Sequence, residues 1–109
     1  MRKGMVRILT MITAVILTAK AGRIVYGDHV ETWYNLNMDR VIERADKALG
    51  MTNLYHVRED GVRMYGPWVI VAADKSAIRY TRVDTSLGEG IILDTHSTDP
   101  EVYDIAVTW

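Results

Sequence analysis

The sequence predicts a mainly β domain with one helix, folded as a small closed or nearly closed barrel of about six short strands. Apolar runs of strand length, Trp68 to Ala73 and Ile91 to Leu93, recur between turn-forming residues. Only Asn37 to Leu49 has a convincing helical period. The chain is 109 residues long, which suits one domain. Hydrophobic residues make up 49% and charged residues 25%, a composition that argues against disorder.

Residues 1–21 read as a secretory signal peptide. Arg2, Lys3 and Arg7 form a basic start, and Ile8 to Ala19 is apolar apart from threonines. Ala19-Lys20-Ala21 supplies the small-x-small pattern of a cleavage site. The apolar core is well short of the roughly 20 residues that span hydrocarbon, so no stable membrane span is expected once the signal is cleaved. An uncleaved anchor or a buried helix are the alternatives. The signal implies an exported bacterial protein, secreted or held at the cell envelope.

The body, residues 22–109, is read as one domain. A helix and hairpin extension covers 22–66, and the apolar core covers 67–109. Of the 13 basic residues, Arg2, Lys3, Arg7 and Lys20 lie in the leader, leaving 9 against all 14 acidic residues, a net of −5. An acidic body is a poor nucleic-acid binder, because that affinity rests on cations at phosphate. The absence of cysteine excludes disulfides and thiolate metal sites.

In chain order, Ile24-Val25-Tyr26 and Glu31-Thr32-Trp33-Tyr34 have strand composition, separated by a Gly27-Asp28 turn signal. The preferred reading is a packed loop whose Trp33 and Tyr34 cover the core, with His29 at the surface. The helix follows. Met38, Val41, Ile42, Ala45, Ala48 and Leu49 form its buried stripe, and Arg40, Glu43, Arg44 and Lys47 its wet face. Asn37 is the expected N-cap and Gly50 the left-handed stop.

Asn53 to Arg58 and Val62 to Tyr65 read as a hairpin around Glu59-Asp60-Gly61. Trp68 to Ala73 is too uniformly apolar to have a wet face and should be the most buried strand. Arg79 to Thr85 alternates, Ser86 to Gly90 reads as a glycine turn, and Ile91 to Leu93 is a second buried strand. Thr95 to Pro100 is a polar loop, and Val102 to Trp109 closes the domain. Trp33, Trp68, Tyr80 and Trp109 are expected to supply much of the buried area.

Asp74 and Asp94 each end an apolar run, and Asp104 opens one. Strands ending on carboxylates can bring acids to one rim, where burial and mutual repulsion raise a pKa toward that of a general acid. The competing reading is that these aspartates cap turns. His96 with Asp94, Asp99 and Asp104 offers ligand types for a metal ion, but the spacing fits no metal motif. No phosphate-binding loop, dinucleotide fingerprint or nucleophile elbow is present.

The pattern Val71-Ala72-Ala73-Asp74, then Gly88-Glu89-Gly90-Ile91-Ile92-Leu93-Asp94-Thr95, then Tyr103-Asp104-Ile105-Ala106 resembles the 3D (three-aspartate) domain family of bacterial envelope proteins. That family is related to the catalytic domain of MltA-type lytic transglycosylases. The resemblance covers about Trp68 to Trp109. It implies a double-psi β-barrel and non-hydrolytic cleavage of the MurNAc–GlcNAc linkage in peptidoglycan glycan strands, with no metal or other cofactor. The position matching the family's acid is Asp104, with Asp94 the neighbouring carboxylate. Asp74 matches the first aspartate, in a structural role, and Thr95 would touch substrate or hold Asp94. Two departures stand out. His96-Ser97 replaces the glycines expected after Asp94-Thr95, and Lys75-Ser76-Ala77 replaces the expected proline and glycine. These departures point to the alternative: a non-catalytic envelope module that binds glycan or protein, with His96 in contact with the ligand or tuning a carboxylate.

Overall fold

The computed structural model describes residues 22–109, so the signal-peptide expectation lies outside the described residues. The fold is mainly β with one helix, as expected, but it has eight strands rather than six. They are β1 (Ile24–Tyr26), β2 (His29–Tyr34), β3 (Tyr55–Val57), β4 (Arg63–Tyr65), β5 (Trp68–Asp74), β6 (Arg82–Thr85), β7 (Gly88–Ser97) and β8 (Val102–Ala106). The helix α1 spans Asp39–Leu49, between β2 and β3.

All eight strands join one mixed sheet, with β5 at its centre. On one side β5 runs parallel to β7. On its other side two antiparallel neighbours divide its length: β4 pairs at Trp68 and Val69, and β8 at Val71 and Ala72. Beyond β8 lies β2, in parallel, and then β1. The closure expected of a barrel is absent among the described residues, because β1, β3 and β6 each pair on one side only.

Strand β5 is buried from Val69 to Ala73, as its uninterrupted apolar run predicts. Ile70 packs with Leu93, Ala106, Tyr65 and the helix residues Met38, Val41 and Ala45. Val69, Val71 and Ala73 face a second cluster with Ile92, Ile105, Val107, Val62 and Met64. Both faces of the strand are therefore covered, which leaves no position for a polar side chain.

The helix stops as its sequence dictates. Gly50 adopts φ 63°, ψ 36°, and its N–H donates to the Asp46 carbonyl. Its start is one residue later than expected. Met38 takes the cap position, and the Asn37 Oδ1 instead accepts from the Asp39 N–H at 2.8 Å. Ala48, assigned to the buried stripe, is exposed.

Residues 24–34 form paired strands rather than a packed loop, because β2 finds a long-range partner in β8 that the local sequence does not reveal. This also corrects His29, which is buried (8% exposed) rather than at the surface. Its Nε2 lies 2.8 Å from Oε2 of Glu31, a carboxylate with no exposure. Glu31 also accepts from the Ser86 backbone N–H at 2.9 Å and the Ser86 hydroxyl at 2.5 Å. A buried acid survives here because three donors replace its water.

The expected hairpin forms as β3 and β4, with Gly61 at φ 86°. Strand β6 begins at Arg82 rather than Arg79 because Tyr80 sits at φ 72°, which interrupts an extended run. The turn before β7 is only Ser86-Leu87, so Gly88 and Gly90 belong to the strand. At its other end β7 runs through Asp94, Thr95 and His96 to Ser97, which the sequence placed partly in a loop.

Of the large side chains, Tyr65 is fully buried, whereas Trp109 is 50% exposed and Trp33, Trp68 and Tyr80 are only partly covered. Aliphatic side chains of β5, β7 and β8 therefore carry more of the core than the named aromatics.

Candidate functional site

Two of the three aspartates meet across one residue. Ala72 on β5 pairs with Asp94 of β7 on one side and with Asp104 of β8 on the other. Asp104 in turn pairs with Thr32 of β2. The result is a transverse row, Thr32–Asp104–Ala72–Asp94, within the sheet rather than at a rim of strand ends. Neighbouring strands lie about 4.8 Å apart, so the two aspartate backbones are separated by roughly 10 Å with a methyl group between them.

A β-bulge makes this row possible. Between Val71 and Ala72 the partner on β7 jumps from Ile92 to Asp94, leaving Leu93 unmatched. Leu93 keeps its side chain in the helix-side core. The Leu93 carbonyl accepts from the Arg44 Nη2 at 2.9 Å, and the same nitrogen donates to Asp94 Oδ1 at 3.1 Å. Arg44, assigned to the wet face of α1, is thus a clamp on the bulge. Asp94 Oδ1 also accepts from the Thr95 backbone N–H at 2.9 Å, and Arg79 Nη2 stands 3.9 Å away. The holding group on Thr95 is its main chain.

Asp104 has a different environment. It is half-buried, and its Oδ1 accepts from the Thr32 hydroxyl at 2.9 Å. Burial pushes its pKa above the ordinary carboxylate value, against the opposing pull of Thr32 and of the nearby His96. Repulsion from Asp94, expected from the clustering of acids, is not among the causes.

Tyr34 and His96 complete the surroundings. Their rings meet edge to face with centroids 5.5 Å apart. The Tyr34 hydroxyl is buried and has no hydrogen-bond partner, and burial together with the charges of Asp104 and Asp94 holds its proton tightly. His96 itself is exposed and lies in β7, not in a loop.

Asp74 stands apart at the end of β5. Its carboxylate accepts from the backbone N–H and the hydroxyl of Ser76, and those bonds lower its pKa. This is the turn-capping arrangement. After burial and the charge of Asp28, the charge of Asp74 adds to the upward pull on the Tyr103 pKa. Trp109 is also remote from the row, with its indole N–H on the Asp60 carbonyl and its ring beside Trp33.

No group of three or more metal-ligating side chains stands together among the described residues. No helix among them is long and apolar enough to cross a membrane. Thr32, Tyr34, Arg44 and Arg79 surround the aspartates without having been singled out from sequence. Only the long-range pairing of β2 with β8 and the packing of α1 on β7 bring them in.

Chemically, the row offers one carboxyl that retains its proton above the usual range and a second carboxylate fixed by arginine, with a small residue between them. Comparison with protein-family models, curated proteins and solved structures finds no match to this chain.

Proposed function

We propose that the chain is an exported peptidoglycan-cleaving domain of the lytic transglycosylase type, built on an open variant of the double-psi barrel. The sequence resemblance to the three-aspartate family supports this reading. The structural observation that carries it is the placement of Asp104, half-buried with a raised pKa, across Ala72 from Asp94. A MurNAc–GlcNAc linkage would lie against the partly exposed side chains of Asp94 and Asp104. Asp104 gives its proton to the glycosidic oxygen as the C1–O bond breaks. Asp94, held by Arg44 and the Thr95 N–H, faces the positive charge that develops at C1. The C6 hydroxyl of MurNAc then attacks C1 to form the 1,6-anhydro ring, and its proton returns to Asp104. No cofactor is required, and the site of action is the bacterial envelope or the medium.

A second reading, a non-catalytic module binding glycan or protein on the same row, draws on one observation. His96 stands where the resemblance expects glycine, and its ring packs on Tyr34 beside Asp104. Mass spectrometry of peptidoglycan incubated with the purified protein separates the two. Anhydro-sugar products from wild type, absent with Asp104→Asn, support cleavage. Reducing-end products mean hydrolysis by the same carboxylates. No product from folded protein leaves the binding module.

A further inference from the structure

Strand β7 departs from its pairing with β5 twice. The first break is the bulge at Leu93. At the second, Ala73 pairs with Thr95 but Asp74 pairs with Ser97, which leaves His96 unmatched. A bulge turns a side chain out of the regular alternation of its strand. His96 is exposed, and its ring meets that of Tyr34 edge to face, at 5.5 Å and 83°. Tyr34 lies two residues past Thr32 on β2, a spacing that returns a side chain to the same face. Thr32 in turn holds Asp104 through its hydroxyl. Asp104 is also the charge that weighs most on the Tyr34 hydroxyl, so one tyrosine neighbours both the imidazole and the carboxyl.

The other charged groups around this cluster have partners of their own. Asp94 accepts from Arg44 of α1, with Arg79 from the segment between β5 and β6 at 3.9 Å. Arg63 of β4 acts on the Tyr34 hydroxyl but donates to Val107, Tyr55 and Asn35. His96 is the cation-forming side chain that bears on Asp104.

We propose that His96 is a positioning residue for Asp104, placed by the second bulge and by the Tyr34 ring so that its imidazolium draws Asp104 toward the carboxylate form. Burial keeps the proton on Asp104, and charge on His96 drives it off. Protonation of one disfavours protonation of the other, so the two titrate as a pair. The consequence for cleavage rests on the reading of Asp104 as the acid; the coupling itself does not. Only Asp104 with its proton serves the glycosidic oxygen, so His96 confines cleavage to more acidic pH than Asp104 alone would allow.

The test follows the Asp104 carboxyl carbon by NMR against pH in wild type, His96→Gln and His96→Lys. His96 is exposed, so both substitutions leave the core intact. Gln removes the charge and should raise the Asp104 titration midpoint by about half a pH unit, whereas Lys keeps a cation and should leave the midpoint at or below that of wild type. A residue that only shaped the bulge would move both variants in the same direction. Equal midpoints in wild type and His96→Gln, or shifts of one sign in both variants, overturn the coupling. Cleavage is scored separately. If Asp104 is the acid, the falling limb of kcat/KM follows the midpoint. At a pH on that limb His96→Gln then cuts about threefold faster than wild type, and His96→Lys does not. Coupling without cleavage keeps the role of His96 and removes the catalytic reading of the row. Cleavage with an unmoved midpoint and an unmoved limb keeps catalysis and removes the role of His96.

Discussion

Asp94 and Asp104 pair with the same residue, Ala72, from opposite sides of β5. That relationship keeps the two carboxyls one strand too far apart to share a proton, and it separates their roles. Asp104 should therefore be the indispensable group. Asp104→Asn is expected to lower the rate of anhydro-sugar formation by about 10³-fold, and Asp94→Asn by a smaller factor of about 10–100. Product quantification on peptidoglycan checks this, and an Asp104→Asn protein that still cuts would sink the assignment.

The raised pKa of Asp104 sets a pH signature. A general acid must carry its proton, so the rate falls as pH rises through the Asp104 pKa. Stability has the same sign. The folded state binds this proton more tightly than the unfolded chain, so the contribution is full below the ordinary aspartate value and lost as pH rises through the folded one. Asp60, lowered by Arg58, and Asp74, lowered by Ser76, contribute oppositely: their stabilisation is present above the ordinary value and lost as pH falls. Asp104→Asn keeps an oxygen for Thr32 and removes the buried charge. Its urea midpoint should exceed that of wild type at neutral pH and converge with it on acidification. A difference that does not vary with pH would show that Asp104 is unshifted.

The buried Glu31 ties β2 to the β6–β7 turn through Ser86. Removing it strands His29 and the Ser86 N–H without their acceptor. Glu31→Ala should cost about 3–5 kcal/mol in urea unfolding, and Glu31→Gln less. A double cycle with His29→Ala should be strongly non-additive, because both changes break one contact. Additive losses would mean the two side chains act independently.

Gly90 lies where β7 crosses close to β5. A Cβ there would sit 2.8 Å from Val71 Cγ2 and 3.1 Å from the Val69 carbonyl oxygen. Gly90→Ala should destabilise by about 1–3 kcal/mol. The shift propagates along β7 toward the bulge at Leu93, so any cleavage activity should fall with stability. Thermal melts together with product assays check this, and an unchanged melting temperature would mean the strands have room to spare.

Features that depend on neighbours along the chain are legible in the sequence itself. The period of Met38, Val41 and Ala45, with Gly50 after it, determined the helix and its end. The Glu59-Asp60-Gly61 turn determined the β3–β4 hairpin, and the uninterrupted run Val69 to Ala73 determined the central strand, because a strand covered on both faces tolerates no polar position. The candidate aspartates are also visible as residues, though not their geometry. Tertiary structure alone decided that β2 would pair with β8, which made a strand of a segment expected to be a loop, buried His29 with Glu31 and placed Thr32 on Asp104. It also decided that Arg44 would leave the wet face to clamp the bulge, and that Asp94 and Asp104 would flank Ala72 while Asp74 capped a turn. The physical reason is that strand register and bulges are settled by contacts between distant segments. A one-residue shift on β7 changes which side chain stands beside Ala72, and no local period in the sequence records it.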